Sequence, residues 1–203
     1  MRKVLVFGAA ILAAGCGTST RVYLNRDVQT VLVLPPFNDS TGANEVPWKL
    51  WPYMERQVAA HGYRVVPRGT VEAFYQSKKY IEPEQIAEWT HADLCKEFKV
   101  DAIVISRIVE WGATTLGISN SVNVKLTAEL REGDGSKEGA LVWNDEGSDG
   151  YSSSATTTKG ILSGVFGSVS TDPGKYAPGA AEHCFRSLPY AGWDPEMKKT
   201  QNK

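Results

Sequence analysis

Ten consecutive residues, 122–131, alternate strictly between apolar and polar side chains. The apolar members are Val122, Val124, Leu126, Ala128 and Leu130, and the polar members are Asn123, Lys125, Thr127, Glu129 and Arg131. Successive side chains of a strand point to opposite faces, so the pattern predicts a β-strand with one buried face and one wet face, usually in antiparallel pairing. Residues 133–136 then predict a turn into a strand at 140–143, which completes a three-strand meander.

The apolar run at residues 30–34 and the strongly apolar segment 101–111 predict strands that are buried on both faces. Between them, residues 48–61 place apolar side chains at helical spacing, namely Leu50, Trp51, Met54 and Val58. Thr70 and Thr90 can cap two further helices. Strands and helices alternate early in the chain and strands follow one another late. We therefore expect an α/β (α+β) fold with a mixed sheet of about five strands covered by helices.

The first sixteen residues combine a basic start, a short apolar run and small residues before a cysteine. The apolar run is too short to cross a bilayer, which takes about 20 residues, and it fits an export signal instead. Residues 12–16 resemble the bacterial lipobox, which predicts lipidation of Cys16 after removal of a signal peptide at residues 1–15. The competing interpretation is a buried helix or strand with an incidental cysteine. In such lipoproteins the residue after the lipidated cysteine directs sorting between membranes. Gly17 stands there rather than Asp, which favours the outer membrane.

Behind the anchor we expect a lipidated tether at residues 16–27, a single domain at residues 28–193 and a disordered polar tail at residues 194–203. The formal net charge of −1 gives no general attraction to nucleic acid. No phosphate loop, dinucleotide fingerprint or nucleophile elbow occurs in the sequence, and no cofactor is expected.

Two cysteines remain once Cys16 is assigned to lipid. Cys95 and Cys184 can form a disulfide in an oxidising periplasm or remain two buried thiols, and the sequence leaves both options open. His91 and Cys95 are four residues apart on a predicted helix and share one face, and His183 adds a further zinc-type ligand beside Cys184. Adjacent helical residues diverge by about 100°, however, so no metal site is expected.

Three places are candidates for contact with a partner protein. The loop that begins with Asn38, Asp39 and Ser40 follows a strand at the sheet edge where ligands often bind, although a simple turn explains it too. Trp48 and Trp51 are candidates because aromatic residues are enriched in interface cores, with core packing as the alternative. Small residues in the segment 160–167, with Gly160, Gly164 and Phe166, suit a packing helix, a dimer contact or a membrane-touching patch.

Residues 31–40, 61–67 and 101–112, together with the anchor, resemble a family of bacterial lipoproteins of unknown function typified by a conserved meningococcal surface antigen. The resemblance implies a three-layer helix–sheet–helix domain similar to the amino-terminal domain of TolB. It also implies distant kinship to the curli-secretion lipoprotein and to lipoprotein activators of peptidoglycan synthases. Since the family has no established catalytic residues, none are transferred to this chain.

The sequence therefore favours a non-enzymatic, protein-binding module that is anchored by lipid to the outer membrane and faces the periplasm. Exposure of the domain at the cell surface is the alternative orientation. The expected partners are other envelope lipoproteins in an assembly or secretion complex, including one like the curli-secretion lipoprotein, and a second copy of the chain. The alternatives are a zinc-dependent periplasmic enzyme that uses His91 and Cys95, and a regulator of peptidoglycan synthesis.

Overall fold

A computed structural model of the 203-residue chain describes residues 28–41, 45–116, 119–134, 136–154 and 172–192. The predicted signal peptide, Cys16, the tether and the tail lie outside the described residues, as do Gly160, Gly164 and Phe166. Within the described part, no helix has the length and apolar character needed to cross a membrane.

The described elements follow in the order β1 (Thr30–Val33), β2 (Phe37–Asn38), α1 (Val46–Ala60), β3 (Arg64–Val65), α2 (Arg68–Lys78), a 3₁₀ helix (Pro83–Glu88), α3 (His91–Phe98), β4 (Ala102–Leu116), β5 (Ser119–Glu132), β6 (Ala140–Ser154), a 3₁₀ turn (Pro173–Lys175) and α4 (Ala177–Phe185). The alternation at residues 122–131 lies in β5, as predicted. β6 runs through to Ser154, well past the predicted end at residue 143.

The six strands form one mixed sheet in the order β3-β1-β4-β5-β6, with β2 beside β4. β1 pairs parallel to both β3 and β4, whereas β4, β5 and β6 form an antiparallel meander. The predicted mixed α/β fold is therefore confirmed, and the apolar segment 101–111, which was predicted to be a strand, lies in β4 from Ala102 onward.

One face of the sheet carries the core. The apolar side chains of β5 point to this face and are buried, and α1 and α4 cover it. Trp51 on α1 is 1% exposed and its indole N–H donates to Val33 O at 2.9 Å. Ser106 Oγ donates to Met54 Sδ at 3.0 Å across the same contact. α1 is thus fixed against β1 and β4 by hydrogen bonds as well as by apolar burial.

α4 reaches the sheet because Gly147 of β6 has no side chain. A Cβ at Gly147 would lie 2.0 Å from Cys184 N and 2.7 Å from Ala180 O, both backbone atoms of α4. Helix and strand are therefore in backbone contact at this point. On the same face, Trp143 stacks on Phe185 with ring centroids 5.7 Å apart.

At the start of the sheet, Asp101 joins β1 to β4. Its Oδ2 accepts hydrogen bonds from the backbone N–H of Gln29 at 3.0 Å, the backbone N–H of Thr30 at 2.7 Å and the Thr30 hydroxyl at 2.6 Å. Partial burial acts to raise the pKa of Asp101, but these hydrogen bonds and the charge of Arg64 outweigh it and hold the pKa below its usual value.

We expect Gly147→Ala to lower the free energy of unfolding by about 2 kcal/mol or more, because the added methyl must displace the backbone of α4. Gly112→Ala is the matched control, since a Cβ at Gly112 of β4 meets no atom within 4 Å. Urea unfolding of both variants measures the difference. Equal stability of the two variants would contradict the backbone contact.

We expect Asp101→Ala to lower stability at neutral pH by about 1 kcal/mol, a value reduced for solvent screening because Asp101 is largely exposed. A carboxyl whose pKa is lowered by folding stabilises above its unfolded pKa of about 3.9, and this contribution disappears as pH falls through the folded pKa. Unfolding measured from pH 7 to pH 2 should therefore bring the variant and the natural chain together below about pH 4. A constant difference would contradict the ionic origin.

Candidate functional site

The sheet face opposite α1 and α4 contains a cleft of about 340 Å³. Its floor is formed by β4 and β5, its roof by the 3₁₀ helix and α3, and its ends by the β1–β2 segment and the β5–β6 connection. The lining residues are Leu34, Phe37, Ile86, Ala87, Trp89, His91, Leu94, Ile105, Arg107, Thr127, Glu129, Arg131, Lys137 and Glu138.

The register of β4 and β5 places the floor residues together. Ile105 pairs with Glu129, and Arg107 pairs with Thr127. Directly paired residues share a face, so an apolar side chain, a hydroxyl and several charges line one surface. Three of the polar residues of β5 that were predicted to form a wet face, Thr127, Glu129 and Arg131, thus line the floor of the cleft.

Arg107 lies at the end of the cleft nearest to β2. Its guanidinium is 5.1 Å from the centre of the Phe37 ring, which is a cation–π distance. Its Nη1 also lies 3.3 and 3.2 Å from the two carboxylate oxygens of Asp39. The side chain is 48% exposed, so this ion pair remains open to solvent and to an incoming partner.

Arg131 lies at the other end of the cleft. Its Nε donates to Glu129 Oε2 at 2.5 Å, and its Nη1 donates to the carbonyl oxygens of Glu138 and Gly139 at 3.3 and 3.2 Å. Arg131 therefore connects β5 to the chain that leads into β6. It fixes this wall of the cleft and is the hydrogen-bond partner of the Glu129 carboxylate.

His91, the first residue of α3, holds the same wall from the opposite side. Its Nδ1 lies 2.7 Å from Lys137 O, and its backbone N–H donates to the same oxygen at 3.2 Å. Thr90 caps α3 as predicted, since its Oγ1 accepts the N–H of Asp93 at 3.1 Å. The cap thus fixes the position from which His91 reaches Lys137.

The two zinc-type residues of α3 are used differently in the structure. Cys95 Sγ packs against Gly133, and burial raises the pKa of the thiol, which disfavours the thiolate needed for metal binding. Within the described residues, no group of three or more His, Cys, Asp or Glu side chains is arranged to hold a metal ion. The geometry therefore gives no support to the zinc alternative.

Cys95 and Cys184 are both free, so the disulfide option is wrong for this structure. Cys95 lies at Gly133 beyond the end of β5, whereas Cys184 lies at Gly147, which pairs with Leu126. Seven residues of strand separate these levels by about 23 Å, far beyond the reach of a disulfide. Burial raises the pKa of Cys184 to about 12.

The predicted contact residues have separate locations. Asn38 and Ser40 form a tight turn in which Asn38 Oδ1 accepts from the N–H and the hydroxyl of Ser40 at 3.2 and 2.7 Å, and Asp39 pairs with Arg107 at the cleft. Trp51 belongs to the core, so the alternative of core packing holds for it and its prediction as a contact residue is wrong. Trp48 is half-buried and packs edge-on against Trp51 and Tyr75.

Sequence reasoning missed the cleft residues Phe37, Ile105, Arg107 and Arg131. The available signal was the polar half of the β5 alternation, because a polar face beneath a second layer of helices must line either a cleft or a set of buried charges. What was missing was the register that brings Ile105 and Arg107 to that face.

Comparisons with known proteins identify a family. Residues 22–171 match the model of the family described as "Putative lipoprotein GNA1162-like". Among curated proteins the comparison finds no match to this chain. The fold is similar to that of the crystal structure of lipoprotein GNA1162 from Neisseria meningitidis, with 22% identity, 68% of this chain and 92% of that chain covered, and a TM-score of 0.55.

Two weaker structural likenesses accompany this match. The PelC dodecamer from Paraburkholderia phytofirmans is 12% identical, with 85% of this chain and 96% of that chain covered and a TM-score of 0.47. The LpoB C-terminal domain from Salmonella enterica is 13% identical, with 63% and 87% covered and a TM-score of 0.40. The family match extends over residues 22–171, which is most of the sequence, and the chain therefore belongs to the GNA1162-like lipoprotein family.

Proposed function

We propose that this chain is a lipid-anchored envelope protein whose domain binds a segment of a partner protein in the cleft and performs no catalysis. The observation that carries the proposal is the composition of the cleft, which joins an apolar wall to arginine and aromatic side chains. Arginine and tryptophan are enriched among the residues that dominate protein–protein binding energy. Trp89, Arg107 and Arg131 all line this one surface.

The charges of the cleft suit binding better than proton transfer. The Glu129 carboxylate is hydrogen-bonded to Arg131, and His91 Nδ1 is engaged with the Lys137 carbonyl. A general base must reach a substrate proton, and both of these groups already hold the cleft walls together. They keep the cleft open in a fixed shape, which lowers the entropic cost of binding a partner.

The size of the cleft sets what it can accept. A volume of about 340 Å³ is at the lower end of the range for small-molecule sites, about 300–1,000 Å³. It suits one or two side chains of a protein segment. Ala87, Trp89 and Ile105, which are not fully buried, offer an apolar surface to such an anchor. The exposed ion pair of Arg107 can rearrange around polar neighbours.

The proposal places the protein at the outer membrane, held by lipid on Cys16, with the domain facing the periplasm. Membership of a lipoprotein family supports an envelope role. Stable anchoring takes more than one acyl chain, which bacterial lipidation of an amino-terminal cysteine supplies. The partners we propose are other envelope lipoproteins, including one like the curli-secretion lipoprotein.

Photo-crosslinking in cells tests the cleft. We expect a photoreactive residue at Thr127, on the cleft floor, to capture a defined envelope protein, and one at Glu72, exposed on α2, to capture none. Ala87→Glu should reduce the Thr127 adduct about tenfold, because it places a charge on the apolar wall of an interface. Ala73→Glu, exposed on α2, is the matched control and should leave the adduct unchanged. Equal adducts at positions 127 and 72, or equal effects of the two glutamates, would refute the docking site.

The anchor is tested separately. We expect Cys16→Ser to abolish incorporation of labelled fatty acid and to move the protein from the membrane fraction to the soluble periplasm, or to leave it unprocessed. The natural chain should give a mature amino terminus at a diacylated Cys16 by mass spectrometry. Lipid labelling that survives the substitution would rule out this anchor.

A further inference from the structure

The two outer edges of the described meander differ in how their backbone groups are protected. On β6, the N–H groups of Glu146 and Gly150 donate to the carboxylates of the preceding residues, Asp145 and Asp149, both at 2.8 Å. Between them, Ser148 O lies 2.7 Å from His183 Nδ1. Side chains thus occupy these three backbone groups of the edge, which hinders strand pairing there.

The opposite edge lies on β4 beyond β2. β2 pairs with β4, and the Asp39 N–H after it donates to Ile108 O at 3.0 Å; beyond Asp39 the described residues before α1 form no further backbone pairing with β4. From Val109 onward the described part of β4 pairs with β5 alone. We call the space beside residues 109–114 of β4 the β2 lane, since it continues the line of β2. Six residues of strand extend about 20 Å.

The backbone groups that face the β2 lane follow from the register. Val104 O and Ile108 O accept from Leu34 N and Asp39 N, so even-numbered residues of β4 face β1 and β2 up to this point. Val109 is an extra residue in a bulge, because Ile108 pairs with Leu126 and Glu110 with Lys125. A bulge shifts the alternation by one residue. Trp111 and Ala113 therefore direct their N–H and C=O groups into the lane, and the described structure gives these groups no partner.

The two faces of the lane have different chemistry. Trp111 pairs with the buried Val124 and so lies on the apolar face. Glu110 lies on the polar face, where its carboxylate meets the Asn123 amide but no cation of the described residues. Lys125, directly opposite Glu110, pairs instead with Glu146 at 3.0 Å. A cavity of about 300 Å³ lies here, and its wall includes Asp39 and Glu110.

We propose that the β2 lane binds an extended segment of another protein, which adds a strand to β4 and alternates apolar residues with Lys or Arg. The apolar residues would lie beside Trp111 and the cationic residues beside Glu110. The described edge of a second copy fits poorly, because β6 presents Asp145, Glu146 and Asp149. Strand addition of this kind takes its affinity from the main chain and its specificity from alternate side chains. The lane is separate from the cleft, so either site can fail without the other.

The test uses the full-length protein in detergent and a blocked nine-residue peptide that alternates Val and Lys. We expect binding to slow amide hydrogen exchange at Trp111 and Ala113 at least tenfold, as measured by NMR. A peptide that alternates Val and Glu, and one with Val and Lys in separate blocks, should bind at least tenfold more weakly. Ala87→Glu in the cleft should leave peptide binding unchanged.

Three variants test the lane itself. Ala113→Pro removes an N–H that points into the lane and not toward β5, so the fold should persist while the dissociation constant rises about tenfold. Ala113→Ser keeps the N–H and should bind normally. Glu110→Gln should weaken binding about threefold, as expected for an exposed ion pair. The proposal would be overturned if the peptide left amide exchange at Trp111 and Ala113 unchanged, or if the block peptide bound as tightly as the alternating Val and Lys peptide. It would also be overturned if, without peptide, protection of these amides rose with protein concentration.

Discussion

The antiparallel ladder between β4 and β5 decides how the central side chains of this protein are used. It runs from the pair Ala102–Glu132 to the pair Leu116–Ser119, with one bulge at Val109. A slip of one residue would exchange the two faces of β5 and would turn five charged or polar side chains into the core. The burial of Val124, Leu126 and Leu130 therefore fixes the register, and the register brings Ile105 and Arg107 to the opposite face.

The two faces then serve different purposes. On the core face, α1 and α4 pack so closely that a tryptophan donates to the β1 backbone and a helix backbone touches Gly147. On the other face the 3₁₀ helix and α3 cover the sheet incompletely, and polar bonds from His91 and Arg131 maintain the gap. The first face supplies stability through buried apolar area, and the second exposes arginine and aromatic side chains.

Much of this fold could be predicted from local patterns. The alternation of apolar and polar residues in strands, the spacing of apolar residues in helices and the helix caps each depend on only a few neighbouring residues. The β5 strand, the central β4 strand and the Thr90 cap are examples. Thr70 was wrong as a cap, since α2 begins earlier, at Arg68, after Pro67 and without a side-chain cap. β6 was predicted too short because its second half, rich in glycine, serine and acidic residues, has low strand propensity and is held in the sheet by pairing with β5.

The cleft could not be derived in the same way, because it depends on contacts between distant segments. Arg107 reaches Phe37 across seventy residues of sequence, and His91 reaches Lys137 across forty-six. Similarly, the buried position of Trp51 depends on Val33, and the separation of Cys95 from Cys184 depends on the length of β5. Sequence periodicity indicates which face a residue occupies, whereas topology determines what lies above that face.

A serine scan of residues 124–131 tests most directly the claim that one face of β5 stabilises the fold while the other binds a partner. Each variant would be measured for its free energy of unfolding and for partner capture in cells by a photoreactive residue at position 87. We expect stability to fall at even positions and capture to fall at positions 127, 129 and 131, so that the two profiles are out of phase. Profiles that fall together at the same positions would contradict this account.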